Sequence, residues 1–256
     1  MNMIVFNRKP VFDAVRHLIG RGFTRSEVEL LDRAIDLGLD IADAVGIPEL
    51  GSLSAHFESG GRGAGTVSGG QNDPGGVSYG TYQLSSRTGT VARFMESEGG
   101  DWARLFGKAV PGSAAFSRVW RDVAEREAQA FEAAQHAFIE RTHYRPAVAE
   151  VLKQTGLDLD SRHRAVRDAT WSVAVQHGGA ARILASAVHV ADLEGSRDEA
   201  GRYDRNLVNA VYAQRSAYVL RVAGRASAAS ARLLRSIVGN RYPAELRAAL
   251  AMLDGD

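Results

Sequence analysis

The chain has 256 residues, 45% hydrophobic and 24% charged, a balance that suits a globular protein with a sizeable core and argues against a disordered one. Thirty-one basic residues against thirty acidic ones leave a formal charge of +1, so no global field dictates a nucleic-acid or membrane partner. The absence of cysteine excludes a disulfide scaffold, a thiolate metal site and a cysteine nucleophile together. No apolar run approaches the roughly 18 residues of a transmembrane helix, and the cluster Met3 to Phe6 is too short, and precedes Asn7, Arg8 and Lys9 in the wrong order, for a signal peptide. The expectation is a protein made in the cytoplasm that reaches any wall or extracellular target by another delivery system.

In chain order, Pro10, Val11, Val15 and Leu18 have helical spacing, and Gly20 and Gly22 end that segment. Thr24 with Glu27 makes a capping box, whose hydroxyl and carboxylate satisfy orphan backbone donors, so a helix is predicted from there to Leu37, closed by Gly38. A further helix is predicted from Pro48 through Leu50, Leu53 and Phe57 to Glu58. Residues 59–76 are so dense in glycine that no helix survives. The stretch Gly76 to Ser85 alternates and carries aromatic and β-branched residues, which predicts a strand; paired with a short strand near Gly65 to Ser68 it makes a hairpin whose connection holds Asn72, Asp73 and Pro74.

From Val91 onward the pattern is helical. Trp120, Val123, Glu127, Phe131, Ala134 and Phe138 fall on one face, so Glu127 is expected to be buried and paired with an arginine, and Pro146 is expected to interrupt this region. Val166, Ala169, Val173 and Ala174 predict a helix from Ser161 to His177, stopped by Gly178 and Gly179. Later helices are predicted over Asn206 to Val222, Ala226 to Val238 and Pro243 to Leu253. With no repeat and no linker, residues 46–256 read as one structural unit, with 1–45 a helical segment packed on it.

Two carboxylates in contrasting surroundings carry the chemistry. Glu58 ends an apolar helix beside Phe57, where desolvation would raise its pKa toward that of a usable general acid, whereas Asp73 is flanked by glycine and polar amides and would stay ionised. Glycosidic cleavage needs such a pair, an acid for the leaving oxygen and a base or nucleophile across the sugar. Taken singly, Asp73 is a turn former and Glu58 a helix-end carboxylate. Their setting adds Tyr79, Tyr82 and Gln83, groups of the kind that stack on and hydrogen-bond sugar rings. The glycine run opens no helix and lacks the phosphate-loop lysine; no metal-ligand spacing and no GxSxG elbow occurs, so no metal or cofactor is expected.

The stretch FESGGRGAGTVSGGQNDPGGVSYGTYQLSSRTGTVARFM, Phe57 to Met95, resembles the catalytic core of lysozyme-like muramidases of phage tails and type VI secretion effectors, and in layout is similar to chitosanases of the wider lysozyme superfamily. The resemblance places the catalytic Glu of ESGG at Glu58 and the catalytic Asp at Asp73. It implies an α+β, mostly helical, lysozyme-like fold: a helical body, a glycine-rich β-hairpin lobe and a cleft between. FIERTHYRP (138–146), WSVAVQHG (171–178) and LVNAVYAQRS (207–216) look like the group's later helices. The activity implied is hydrolysis of the β-1,4 bond between N-acetylmuramic acid and N-acetylglucosamine, with Tyr79, Tyr82, Gln83, Gln176 and His177 holding the glycan. The implied partners are peptidoglycan strands and an immunity protein or a secretion or tail carrier. A chitosanase, or a wall-binding component without catalysis, remains the alternative. Gln71 and Asn72 stand where small or basic residues are usual, and His177 equally suits a helix C-terminus, where it bonds free carbonyls.

Charge is segregated along the chain. From Arg215 to Asp256 seven arginines face Glu245, Asp254 and Asp256, which gives +4 there and −3 for the preceding residues. This segment is either a solvated helix face or a surface attracted to an anionic polymer; no interleaved aromatics support nucleic acid.

Overall fold

The computed structural model describes Thr24, Val28, Leu31 and Asp32, then residues 50–51, 63–69 and 75–254. The chain divides into two compact units, Met1–Glu49 and Leu50–Asp256. In the first, the Val28 amide donates to the Thr24 carbonyl at 3.1 Å, and Val28, Leu31 and Asp32 are helical, as the capping box predicts. Both Glu58 and Asp73 lie outside the described residues.

The second unit is mostly helical with a small antiparallel sheet. Strands β1 (Ser78–Tyr79) and β2 (Leu84–Ser85) pair with Ser78 opposite Ser85 and Tyr79 opposite Leu84. The single strand expected over Gly76 to Ser85 is therefore two, because Gly80 at φ 75° and Gln83 at φ 54° reverse the chain between them. The expected pairing with the Gly65 to Ser68 segment does occur. Val67 bridges Tyr79, the Ser68 amide donates to the Ser78 carbonyl at 2.9 Å, and the Gly80 amide to the Thr66 carbonyl at 2.7 Å.

Helices α1 (Thr90–Met95), α2 (Ala103–Phe106), α3 (Ala114–Arg126) and α4 (Ala128–Ile139) build an aromatic core beneath the sheet. Trp120 is wholly buried, with its ring centroid 4.6 Å from Phe131, 5.7 Å from Phe94 and 5.2 Å from Tyr79. Edge-on and tilted contacts of this kind add to the large apolar area such rings remove from water. The stripe from Trp120 to Phe138 is real but kinked. Glu127 leaves helical geometry at φ −133° and separates α3 from α4, so its side chain is exposed, not buried and paired as the stripe implies.

A π turn, Glu140–Tyr144, leads into α5 (Arg145–Thr155), where Pro146 sits in the first turn and starts a helix where an interruption was expected. Helix α6 (Arg164–Gln176) is the central element: Val166, Ala169, Trp171 and Val173 have no exposure, and His177 ends it. Around it pack α7 (Ala180–Glu194), α8 (Ala200–Ala223) and, after α9 (Ala228–Ser236), which packs on α8, and a π turn, Ile237–Arg241, the last helix α10 (Tyr242–Asp254). No helix among the described residues is long and apolar enough to cross a membrane.

Candidate functional site

The segments that lead to the two carboxylates can be followed to their anchors. Leu50 and Gly51, seven residues before Glu58, are clamped by α4 and α6. His136 Nε2 donates to the Leu50 carbonyl at 2.5 Å, and the Gly51 amide donates to Asp168 Oδ1 at 2.5 Å. Gly51 lies at φ +89°, and a Cβ there would fall 2.6 Å from the Trp171 indole, so both backbone conformation and space demand glycine. Trp171 in turn stacks on His136, with ring centroids 4.4 Å apart and planes 16° from parallel.

The hairpin meets the same place. Tyr82, in the β1–β2 turn, lies edge-on to His136 at 6.2 Å and tilted against Trp171 at 6.0 Å. That turn is held from beneath by Gln135, which is wholly buried: its Oε1 accepts from the Thr81 amide at 3.1 Å, while Nε2 donates to the Ala64 carbonyl at 3.2 Å. Trp120 Nε1 donates to the same Ala64 carbonyl at 2.8 Å. The chain that carries Asp73 is described again at Gly75, whose carbonyl accepts from Ser85 Oγ at 2.6 Å and from the Arg87 amide at 3.1 Å.

The glycan-holding candidates separate into two groups. Tyr79 is fully enclosed, its hydroxyl 2.9 Å from Ser117 Oγ and accepting from the Gly112 amide at 3.0 Å, so it supports the hairpin from within the core and presents no free surface. Tyr82 is 8% exposed, and Gln83 is half-buried with Nε2 donating to the Gly80 carbonyl at 3.0 Å. Gln176 and His177 lie at the C-terminal end of α6, where Gln176 is five residues beyond Trp171, about 7.5 Å along the helix axis.

There a buried network joins three helices. Arg215 of α8 and Glu245 of α10, neither exposed, pair at 2.8 Å. Arg215 also donates to Gln176 Oε1 and, at 3.3 Å, to His177 Nε2, and its guanidinium lies 4.1 Å from the Tyr242 ring centroid. Glu245 accepts from Ser172 Oγ at 3.0 Å and from Arg241. Burial, then the adjacent Arg215 and Arg241, pull the His177 pKa down to about 4, so the ring is neutral at pH 7 and can accept the Arg215 hydrogen bond. Gln176, His177, Tyr218, Ile237, Arg241 and Tyr242 border a pocket of about 430 Å³.

Against this geometry the comparisons with known proteins fall into place. The family model for the C-terminal region of VgrG3-like type VI secretion system spike proteins matches residues 50–241. The chain belongs to this family. The VgrG3-like region begins at Leu50, the residue held by His136, and ends at Arg241, so it contains the hairpin anchor and the Arg215 side of the buried network, whereas Tyr242 and Glu245 follow it. Over 150 residues, 59% of the chain, it is 38% identical to the type VI secretion system spike protein VgrG3 of Vibrio cholerae serotype O1, and the match covers 14% of that protein's length.

Several residues of the VgrG3-like region that build the site carry weak sequence signals. Asp168 is a lone acid in the apolar run AVRDATWSVAV, which marks a buried carboxylate with a partner elsewhere. Nothing local marks His136, whose role depends on a carbonyl 86 residues away. Among the described residues no cluster of three His, Asp or Glu side chains is placed to hold a metal.

Proposed function

We propose that this VgrG3-like domain is a peptidoglycan glycosidase of muramidase type, which cleaves the β-1,4 bond from N-acetylmuramic acid to N-acetylglucosamine. Glu58 donates a proton to the leaving oxygen, and Asp73 activates water or stabilises the positive charge that develops on the sugar. Gln83, Gln176, His177 and the exposed edge of Tyr82 contact the glycan, while Tyr79 holds the hairpin in place. By analogy with the spike protein it resembles, the domain is carried to the wall by a type VI secretion apparatus.

The observation that supports this reading most is the shared anchor. The chain entering the Glu58 segment at Leu50 and Gly51, and the hairpin that follows the Asp73 loop, rest on the same two side chains, His136 and Trp171. A two-carboxylate mechanism requires its acid and its anion on opposite sides of one bond, and a common footing for their segments is what such placement needs.

The test is mass analysis of fragments released from purified sacculi. Hydrolysed disaccharides are expected from the wild type, none from Glu58→Gln, and a severe loss of rate from Asp73→Asn, with each variant melting as the wild type does. Anhydro or amidase products, or full activity in Glu58→Gln, overturn the assignment. Release from chitosan and not from sacculi selects the chitosanase alternative, and binding to sacculi without any release selects a non-catalytic wall binder. The anomeric configuration of the first product, read by NMR, assigns Asp73 as base or nucleophile.

A further inference from the structure

Two arginines of the positively charged last part of the sequence, Arg221 and Arg225, meet Arg182 at one place. A pocket of about 520 Å³ is lined by Arg182, Tyr218, Arg221, Val222, Arg225 and Ala226. Tyr218, Arg221 and Val222, at three- and four-residue steps from Tyr218, share one face at the end of α8, and Arg225 lies in the turn that follows. Arg182 comes from the first turn of α7, and a Cβ on Gly179, the residue that caps α7, would lie 3.4 Å from its guanidinium. The guanidinium therefore lies beside the positive end of a fifteen-residue helix, and the two fields add. All three arginines are exposed, and among the described residues none has an ion-pair partner. No acidic side chain lines the pocket.

This pocket lies next to the one at the end of α6. Tyr218 and Val222 border both, so the arginines adjoin Gln176, His177 and Arg241. Glu245, the acid nearest in sequence to that wall, is wholly buried and already engaged by Arg215 and Arg241, so it does not cancel the field. Three forked guanidinium groups around a recess suit several carboxylates at once, since each fork matches one carboxylate with two parallel hydrogen bonds.

We propose that this pocket binds the carboxylates of the short peptides attached to muramic acid, so that the domain recognises peptide-bearing glycan and not bare strands. The inference rests on the proposed action on peptidoglycan and adds to it a specificity element outside the two-carboxylate centre. The pocket is too small to follow a nucleic-acid backbone, and Tyr218 is its one aromatic ring, whereas single-strand binding needs a series of stacking rings.

The experiment uses the full chain and the triple variant Arg182→Gln, Arg221→Gln, Arg225→Gln. Calorimetric titration with an isolated stem tripeptide bearing free carboxylates is compared with the same peptide amidated throughout. Expected are binding of the free acid by the wild type, a loss of about tenfold or more on amidation or in the triple variant, and weakening with salt. On digestion, the variant should lose at least about tenfold more activity on intact sacculi than on strands stripped of peptide by an amidase. Equal binding by wild type and triple variant, equal binding of the amidated peptide, or tighter binding of an oligonucleotide of similar length overturns the proposal. If the wild type binds the peptide as expected but hydrolyses neither substrate, the muramidase reading fails and the peptide site stands.

Discussion

Arg215 and Glu245 form an ion pair in which neither side chain reaches solvent, and this pair fastens α6, α8 and α10 together through Ser172, Gln176 and His177. Two buried charges tolerate each other because each is neutralised and multiply hydrogen-bonded; remove one and the other is left without compensation. Glu245→Leu should therefore destabilise the protein by about 3–5 kcal/mol, read as a drop in urea midpoint. The double variant Arg215→Met, Glu245→Leu should regain a large part of that loss. A single variant as stable as the wild type would mean the network contributes nothing to the fold.

The same network makes stability depend on pH through His177. Its pKa in the fold, about 4, lies below the ordinary value of 6.5, so the unfolded chain binds this proton more readily. The stabilising contribution is fully present above pH 6.5 and is lost as pH falls from there through about 4, by an amount on the order of 2–3 kcal/mol. His177→Gln should flatten the unfolding free energy across that window. The Glu98–Arg141 pair acts mainly below this window, because Glu98, held at about 2 by its Arg141 hydrogen bonds against an ordinary 4.5, loses its contribution as pH falls from about 4.5 through 2, so the slope between pH 6.5 and 4.5 is the one to compare. An unchanged pH slope in His177→Gln would assign the dependence to other groups.

Much of the helical body is legible in the sequence, since Val166, Ala169 and Val173 repeat with the period of a buried helix face and Gly178 and Gly179 end it. What escapes is decided by contacts between distant residues or by single backbone angles. Glu127 falls on an apolar stripe, yet one non-helical residue turns it outward. Tyr79 and Tyr82 look alike as sugar-stacking rings, but the antiparallel bridge to Val67 places Tyr79 over Phe116 and Trp120 and closes it off. The stretch Gly76 to Ser85 alternates convincingly and is nevertheless two short strands about a turn, because Gly80 at φ 75° reverses the chain there and leaves room for Gln135, whose Oε1 would lie 2.0 Å from a Cβ.

Gln135 supplies a third prediction. Gln135→Leu keeps the volume but removes the acceptor for the Thr81 amide and the donor to the Ala64 carbonyl. Loss of a buried partner costs about 1–3 kcal/mol, and here the weakened element is the β1–β2 turn. Hydrogen exchange at the Thr81 amide should rise well above the change in global stability, with reduced release of fragments from sacculi. Exchange that rises uniformly across α6 and α8 would show instead that Gln135 supports the whole core and not the hairpin.

Gly51 tests the shared anchor most directly. A methyl group there would need φ +89° and would overlap the Trp171 indole, so Gly51→Ala must either strain the backbone or displace Trp171 from His136. Strain of this kind costs about 1–3 kcal/mol, and the melting temperature should fall modestly. Activity on sacculi should fall by more than that loss of folded protein explains, because the chain leading to Glu58 loses its footing while α7, α8 and α10 keep theirs. Gly201→Ala, in α8 with open space around the added Cβ, is the matched control and should leave both stability and turnover near wild type. If Gly51→Ala digests sacculi at the wild-type rate, the footing on Trp171 and His136 does not position the acid, and the argument for a common platform fails with it.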